Sequence, residues 1–208
     1  MRILVIGAAG RTGRLVVEQA LGHGHDVRAF LHSSSLDLTH SRIEPVRGDV
    51  RAFDDVAAAM PGCDAVVFAV GSVGGRETNV HSEGIGNVLH AMALHDVGSL
   101  AALSAAGAFA RKDRHLNLAF RMMIATALRP VYDDLERMEQ RIAASGVEWT
   151  IVRPSGLSDG EQTGDYRLSL DGSVLPKASS IARADVAAVL LKSVESGSFS
   201  RRTIAIAR

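Results

Sequence analysis

A single-domain α/β protein with a Rossmann-type, doubly wound parallel sheet is the architecture this sequence predicts, on three observations. An apolar run, Ile3 to Ile6, leads straight into three glycines, Gly7, Gly10 and Gly13, and then into apolar residues at helical spacing. Short β-branched runs alternate with amphipathic helical segments along the chain, the sequence form of successive βαβ units. The 208 residues, 47% of them hydrophobic, suffice for one well-packed domain and are short for two. Residues at about 105–131 and 154–182 are expected to form a small lobe on the substrate side.

Taken in order, Ile3 to Ile6 has the length and branching of a buried parallel strand, and from Thr12 onward Leu15, Val16 and Ala20 mark a helix. Gly22-His23-Gly24-His25 stops that helix, and Asp26 to Leu31 reads as the second strand. Ile43 to Arg47 is the third, followed by Gly48-Asp49-Val50 and a short helix over Phe53 to Met60. Asp64 to Val70 is a fourth strand, running out into Gly71-Ser72-Val73-Gly74-Gly75. Val80, Ile85, Val88, Leu89, Ala91 and Met92 predict a long helix within Thr78 to Leu94. Ser99 to Leu103 is the next strand and ends at Ser104. Asp133 to Ala144 is a helix stopped at Ser145-Gly146, and Trp149 to Arg153 the strand after it. Pro154-Ser155-Gly156-Leu157 then turns the chain at the carboxyl edge of the sheet. Arg167 to Leu170 reads as a short strand closed by Asp171-Gly172-Ser173, Ala184 to Val194 as the last long helix, and Thr203 to Ala207 as an added edge strand.

The segment Phe109 to Arg129 breaks this rhythm. It carries Arg111, Lys112, Arg114, Arg121 and Arg129 against a single acid, Asp113, and is rich in leucine and methionine. Two readings stand side by side: a lid that meets an anionic, flat, apolar substrate, or a surface for self-association. A monomer or weak homodimer is expected. Over the whole chain charge is balanced, 23 basic against 23 acidic residues, so no global field draws the chain to nucleic acid or to a membrane surface. The lone Cys63 excludes an internal disulfide and a cysteine-rich zinc site and suits a reducing cytoplasm, and no metal site is expected. No apolar run approaches the roughly 18 residues that span a bilayer.

The glycine turn carries the chemistry. Between a strand and a helix, the first glycine takes a backbone conformation closed to other residues, the second lets a pyrophosphate approach the main chain, and the third lets helix and strand pack closely. The phosphates then meet the free N–H groups at the helix start. Gly7, Ala9, Gly10, Arg11, Thr12 and Gly13 are therefore expected to bind a dinucleotide. The residue after the second strand selects among nicotinamide cofactors: an acid suits the ribose 2′-hydroxyl, positive charge and donors suit a 2′-phosphate. Here His32, Ser33 and Ser34 follow Leu31, with no carboxylate until Asp37, and Arg11 is in reach, so NADP(H) is favoured over NAD(H). Asp49, with Val50, is placed beside the adenine or else caps the next helix. Val70, Gly71 and Pro154 fall on the same rim beside the cofactor, with Arg111, Lys112, Arg114 and Ser155 on the substrate side. The Ser104 hydroxyl is positioned to orient the nicotinamide or acceptor, or else to satisfy local backbone.

Ile6 to Gly13, Gly48-Asp49-Val50, Ser82-Glu83-Gly84 with Asn87, Ala143 to Val152 and Thr163-Gly164-Asp165-Tyr166 running on to Leu170-Asp171-Gly172 together resemble an atypical short-chain dehydrogenase/reductase of the NmrA-like, NAD(P)-binding type. Within that group the chain is most similar to the biliverdin-IXβ reductase/flavin reductase family. The resemblance implies hydride transfer from NADPH to flavins, linear tetrapyrroles or other conjugated acceptors. It places His32 where that family has an arginine for the 2′-phosphate, and Gly156 where the biliverdin reductases have a histidine. Short-chain dehydrogenases generally use Tyr-x-x-x-Lys on a helix, the lysine lowering the tyrosine pKa. Here Tyr132 has Glu136 at that spacing, which raises it instead, and Tyr166 has Leu170. The sequence thus points to a reductase of a conjugated, anionic small molecule. A dinucleotide-binding redox sensor of the NmrA-like type is the alternative, with an isomerase or a tailoring reductase of secondary metabolism third.

Overall fold

A computed structural model of the chain describes residues 1–71, 79–106, 108, 122, 126 and 128–208. Strand β1 (Arg2–Ile6) sets the layers. Ile3 and Val5 point to one face and Leu4 and Ile6 to the other, and all four are at most 1% exposed. A strand without polar alternation is stable only in a sheet covered on both sides. Helix α1 (Arg11–Gly22) covers the first face with Val16, Val17 and Ala20. The chain then lays down β2 (Asp26–Leu31), β3 (Ile43–Arg47), α2 (Phe53–Ala58), β4 (Ala65–Phe68), α3 (Val80–Leu94), β5 (Ser99–Leu103), α4 (Arg129–Ala143) and β6 (Glu148–Pro154). Short strands β7 (Leu157–Ser158), β8 (Arg167–Ser169) and β9 (Ile181–Ala182) precede α5 (Arg183–Ser196) and β10 (Arg202–Ala207). Helix α5 joins α1 on the first face, while α2, α3 and α4 bury Val56, Ile85, Met92, Met138 and Ile142 against the second.

The main sheet runs β3-β2-β1-β4-β5-β6-β10-β8, and β7 pairs with β9 in a separate two-stranded sheet. All neighbours in the main sheet are parallel except β10 and β8. This corrects the edge position read for Thr203 to Ala207. Ile204, Ala205 and Ile206 are at most 3% exposed, so β10 is an interior strand, and β8 closes the edge against it in antiparallel sense. Strand β4 is shorter than Asp64 to Val70, and α4 begins four residues before Asp133, where Pro130 at the first helical turn supplies the fixed backbone angle that a helix start accepts.

Helices α3 and α4 are joined by one buried carboxylate. Asp134, fully buried, accepts hydrogen bonds from the backbone N–H of His81 (2.9 Å) and Ser82 (3.2 Å), two of the free donors of α3's first turn. His81 Nδ1 (3.0 Å) and Arg137 (3.3 Å) face the same carboxylate, and Arg141 donates to the Ser82 carbonyl at 2.7 Å. Burial alone pushes the Asp134 carboxyl up, but the hydrogen bonds from His81 and Ser82 outweigh it and bring it to about 2. A carboxyl depressed in the folded state contributes stability that is complete above its unfolded value, about 3.9, and is lost as pH falls through the folded value. Between pH 5 and pH 2 the wild-type chain is therefore expected to lose about 2 kcal/mol of unfolding free energy that Asp134→Asn does not lose. Urea titrations at the two pH values measure this, and Asp134→Asn is expected to be the less stable protein at pH 7.

Candidate functional site

The chain leaves β1 toward β2 on one side and toward β4 on the other, and at that reversal, above the carboxyl ends of the strands, lies a cleft of about 480 Å³. Its floor is the glycine turn. Gly7 has φ +84°, a conformation that side chains rarely adopt, and a Cβ there would stand 2.6 Å from the Ala69 carbonyl oxygen. A Cβ at Gly13 would stand 2.1 Å from the Gly7 carbonyl oxygen, which is why helix α1 can rest directly on the turn. Gly10, the residue before the helix, offers no side-chain cap, so the first-turn N–H groups of α1 remain open to an anion. An apolar strand end, a cradle without side chains and an uncapped helix start suit the pyrophosphate of a dinucleotide.

Of the residues expected at the cofactor, Gly7, Ala9, Gly10, His32, Ser33, Asp49, Val50, Val70 and Gly71 line this one cleft. Thr12 and Gly13 lie beneath it as buried residues of α1, and Ser104, Pro154 and Ser155 stand outside its lining. Arg111, Lys112, Arg114 and the segment from Ser72 to Gly75 lie outside the described residues. Arg11 also stands outside the lining. It pairs with Asp159, which holds Arg183 by its other oxygen at 2.8 Å, so its charge is tied to the segment after β7 and the start of α5.

Arg51 lines the cleft and was not singled out from the sequence. Its guanidinium engages Asp49 at 2.8 and 3.1 Å, and this hydrogen bonding, opposed by burial, holds the Asp49 carboxyl below its ordinary range. His32 approaches the same carboxylate at 3.9 Å. Asp49 thus reaches the cleft wall from the loop after β3 already paired. The sequence signal for Arg51 was its place two residues after Asp49. The loop itself is fixed: the Asp49 N–H donates to Asp55 at 2.8 Å, and Asn87 donates to the Val50 carbonyl at 3.0 Å. This accounts for the Gly48-Asp49-Val50 and Asn87 pattern.

At the end of β5, the Ser104 hydroxyl donates to Glu139, itself clasped by Arg153 through Nε at 3.0 and 3.2 Å and through Nη2. Arg153 also donates to the Gly172 carbonyl at 3.1 Å, which ties the Leu170-Asp171-Gly172 turn to the sheet. Since the Ser104 hydroxyl donates to Glu139, it has lone pairs left to offer a ligand. Tyr132 sits on α4 with its hydroxyl pushed up, and the cause is burial rather than the Glu136 charge expected from the spacing. Tyr166 is also pushed up, first by burial and then by Asp185. The Thr163-Gly164 turn is anchored on that buried carboxylate: Asp185 accepts the N–H of Thr163 at 2.9 Å, the N–H of Gly164 at 2.8 Å and the Thr163 hydroxyl at 3.0 Å.

Residues 7–197 match the model of a family described as NAD(P)H-binding. The uncharacterized sugar epimerase YhfK of Bacillus subtilis is 27% identical over 94% of this chain and 88% of its own length. Longer mycobacterial relatives, 29% identical, match 74% of this chain, which spans only 14% of their length. SP1627 of Streptococcus pneumoniae, a provisionally assigned NADH-flavin reductase, superposes with a TM-score of 0.80 at 23% identity, over 100% of this chain and 99% of that one. ChuY, an anaerobillin reductase of Escherichia coli O157:H7, superposes with a TM-score of 0.77 at 18% identity, over 100% of this chain and 97% of that one. Identities this low show a shared fold.

The two glycines predict different outcomes. Gly13→Ala drives a methyl into the Gly7 carbonyl and is expected to cost about 2 kcal/mol or more of stability. Gly10→Ala, whose Cβ meets the nearest atom at 3.1 Å, is expected to fold while binding NAD(P)H at least about tenfold more weakly, because the methyl occupies the pyrophosphate approach. Thermal melts with and without NADPH separate the two.

Proposed function

The chain belongs to the NAD(P)H-binding family, and from that premise we propose that it is an NADPH-dependent oxidoreductase that reduces a flavin, quinone or tetrapyrrole-like conjugated acceptor. The observation that carries this reading is the pairing of a formed dinucleotide cleft with a helix that holds Glu136, not lysine, four residues after Tyr132. A tyrosine hydroxyl pushed up by burial, with no lysine one turn along the helix to lower it, is a poor proton donor to a ketone at neutral pH. A conjugated, electron-poor acceptor does not need one: stacked on the cofactor it gains much of its rate from proximity and orientation, and its proton comes from water. The reduced nicotinamide, when bound, supplies the hydride.

The chain's own residues then bind and orient. The glycine turn and the first turn of α1 hold the pyrophosphate, and Val70 and Gly71 border the ribose and nicotinamide. Ser104, its proton held by Glu139, presents an oxygen that can accept from the carboxamide of the nicotinamide. His32, Ser33 and Ser34 offer hydrogen bonds to a 2′-phosphate, with Arg51 as the nearest guanidinium of the cleft wall. The names of the structural neighbours, a flavin reductase and an anaerobillin reductase, support acceptors of this class, and the basic residues Arg111, Lys112 and Arg114 suit an anionic one.

The test is the oxidation of NADPH in the presence of FMN, riboflavin or a soluble quinone. Turnover above the uncatalysed rate with at least one of them is expected, and no turnover with any, together with equal affinity for NADP⁺ and NADPH, would favour the redox-sensing reading instead. Ser33→Asp places a carboxylate against the 2′-phosphate and is expected to weaken NADPH relative to NADH by about tenfold or more. Titration with each cofactor, followed by nicotinamide fluorescence, reads the ratio directly.

A further inference from the structure

At the edge of the sheet remote from the cleft, the turn that ends α1 meets the last turn of α5. The helix stop there is made by backbone: the N–H groups of His23, Gly24 and His25 donate to the carbonyls of Gln19, Leu21 and Ala20. The stop therefore needs neither imidazole. Both nevertheless converge on one atom. His23 Nδ1 lies 2.8 Å and His25 Nε2 lies 2.7 Å from the same Glu195 Oε1, with the two rings set edge to face. The ligand atoms of all three residues lie within 4.8 Å of one another. Side-chain exposure falls from 57% at His23 to 23% at Glu195 and 15% at His25, so the group is open on one side and backed by protein on the other. Burial lifts the Glu195 carboxyl, and hydrogen bonds from His23 and His25 more than reverse this.

We infer that His23, His25 and Glu195 form a binding site for a divalent transition-metal ion, with Zn²⁺ as the ion its two imidazoles and one carboxylate suit. Two neutral imidazoles and a carboxylate are a ligand set that zinc uses with a fourth position left to water. Tetrahedral ligands at zinc distances lie about 3.3 Å apart, so the two nitrogen-to-oxygen separations open by about 0.5 Å to admit the ion. Such an opening lies within the reach of side-chain rotation, since the three groups come from a surface turn and a helix end. In the metal-free protein each imidazole must direct an N–H at the shared oxygen, and a single cation satisfies the three lone pairs together. Because the site joins α1 to α5, whose side chains share one core, bound metal fastens these elements together without touching the nucleotide cleft.

The experiment uses the protein without a histidine tag, stripped with a chelator and titrated with ZnCl₂ by calorimetry, with thermal melts in parallel. Binding of about one Zn²⁺ per chain and a rise in melting temperature are expected. His23→Gln, at an exposed position that does not threaten folding, and His25→Gln are each expected to weaken binding at least about tenfold, the least that losing a direct ligand should cost. NADPH affinity should be unchanged in both. Absence of heat and of any melting shift in the wild-type protein overturns the inference, as does undiminished Zn²⁺ binding in both variants.

Discussion

How near helix α1 comes to the strand before it decides much of what this molecule is. The approach is possible because no side chain stands at residue 13 and because residue 7 takes a left-handed backbone angle. From that contact follow the orientation of the helix axis, the placement of its free N–H groups above the strand ends and the depth of the cleft between β1, β2 and β4. The sheet supports the arrangement in turn. Ile3, Val5, Leu4 and Ile6 are locked between two helical layers, so the strand that delivers the turn has no freedom to shift.

The alternation of apolar runs and helical periods made the sheet legible, because each buried parallel strand had to be apolar on both faces. What was not legible came from pairing partners distant in sequence. Nothing in Thr203 to Ala207 tells whether another strand will lie outside it; the outer neighbour is Arg167 to Ser169, which joins β10 through register rather than composition. The turn, His32, Ser33, Asp49, Val50, Val70 and Gly71 were all recognisable as cleft residues because strand ends in such a sheet fall on one rim. Arg51 was not, since its relevance depends on a carboxylate that presents it to the cleft. Arg11 illustrates the converse: its position inside the turn placed it near the phosphates, and an aspartate 148 residues away holds it elsewhere.

Several of the patterns that carry the family resemblance have structural work of their own. Asp185 ties down the Thr163-Gly164 turn, Asn87 holds the Val50 carbonyl, and Arg153 links Glu139 to the Gly172 carbonyl. Each is a buried or half-buried polar group satisfied by backbone of another segment, which costs little when complete and much when broken. The same network leaves Ser104 with its proton already committed. A site assembled in this way has its polar groups oriented before any ligand arrives.

The carboxylate of Asp134 pins the first turn of α3 to α4. Residues 72–78 and the segment from 109 end at these two helices, so both connections return to a frame whose geometry is set by the core. The frame that receives these connections is thus held by contacts of its own, distinct from those that shape the nucleotide cradle, so a change in the one does not have to pass into the other.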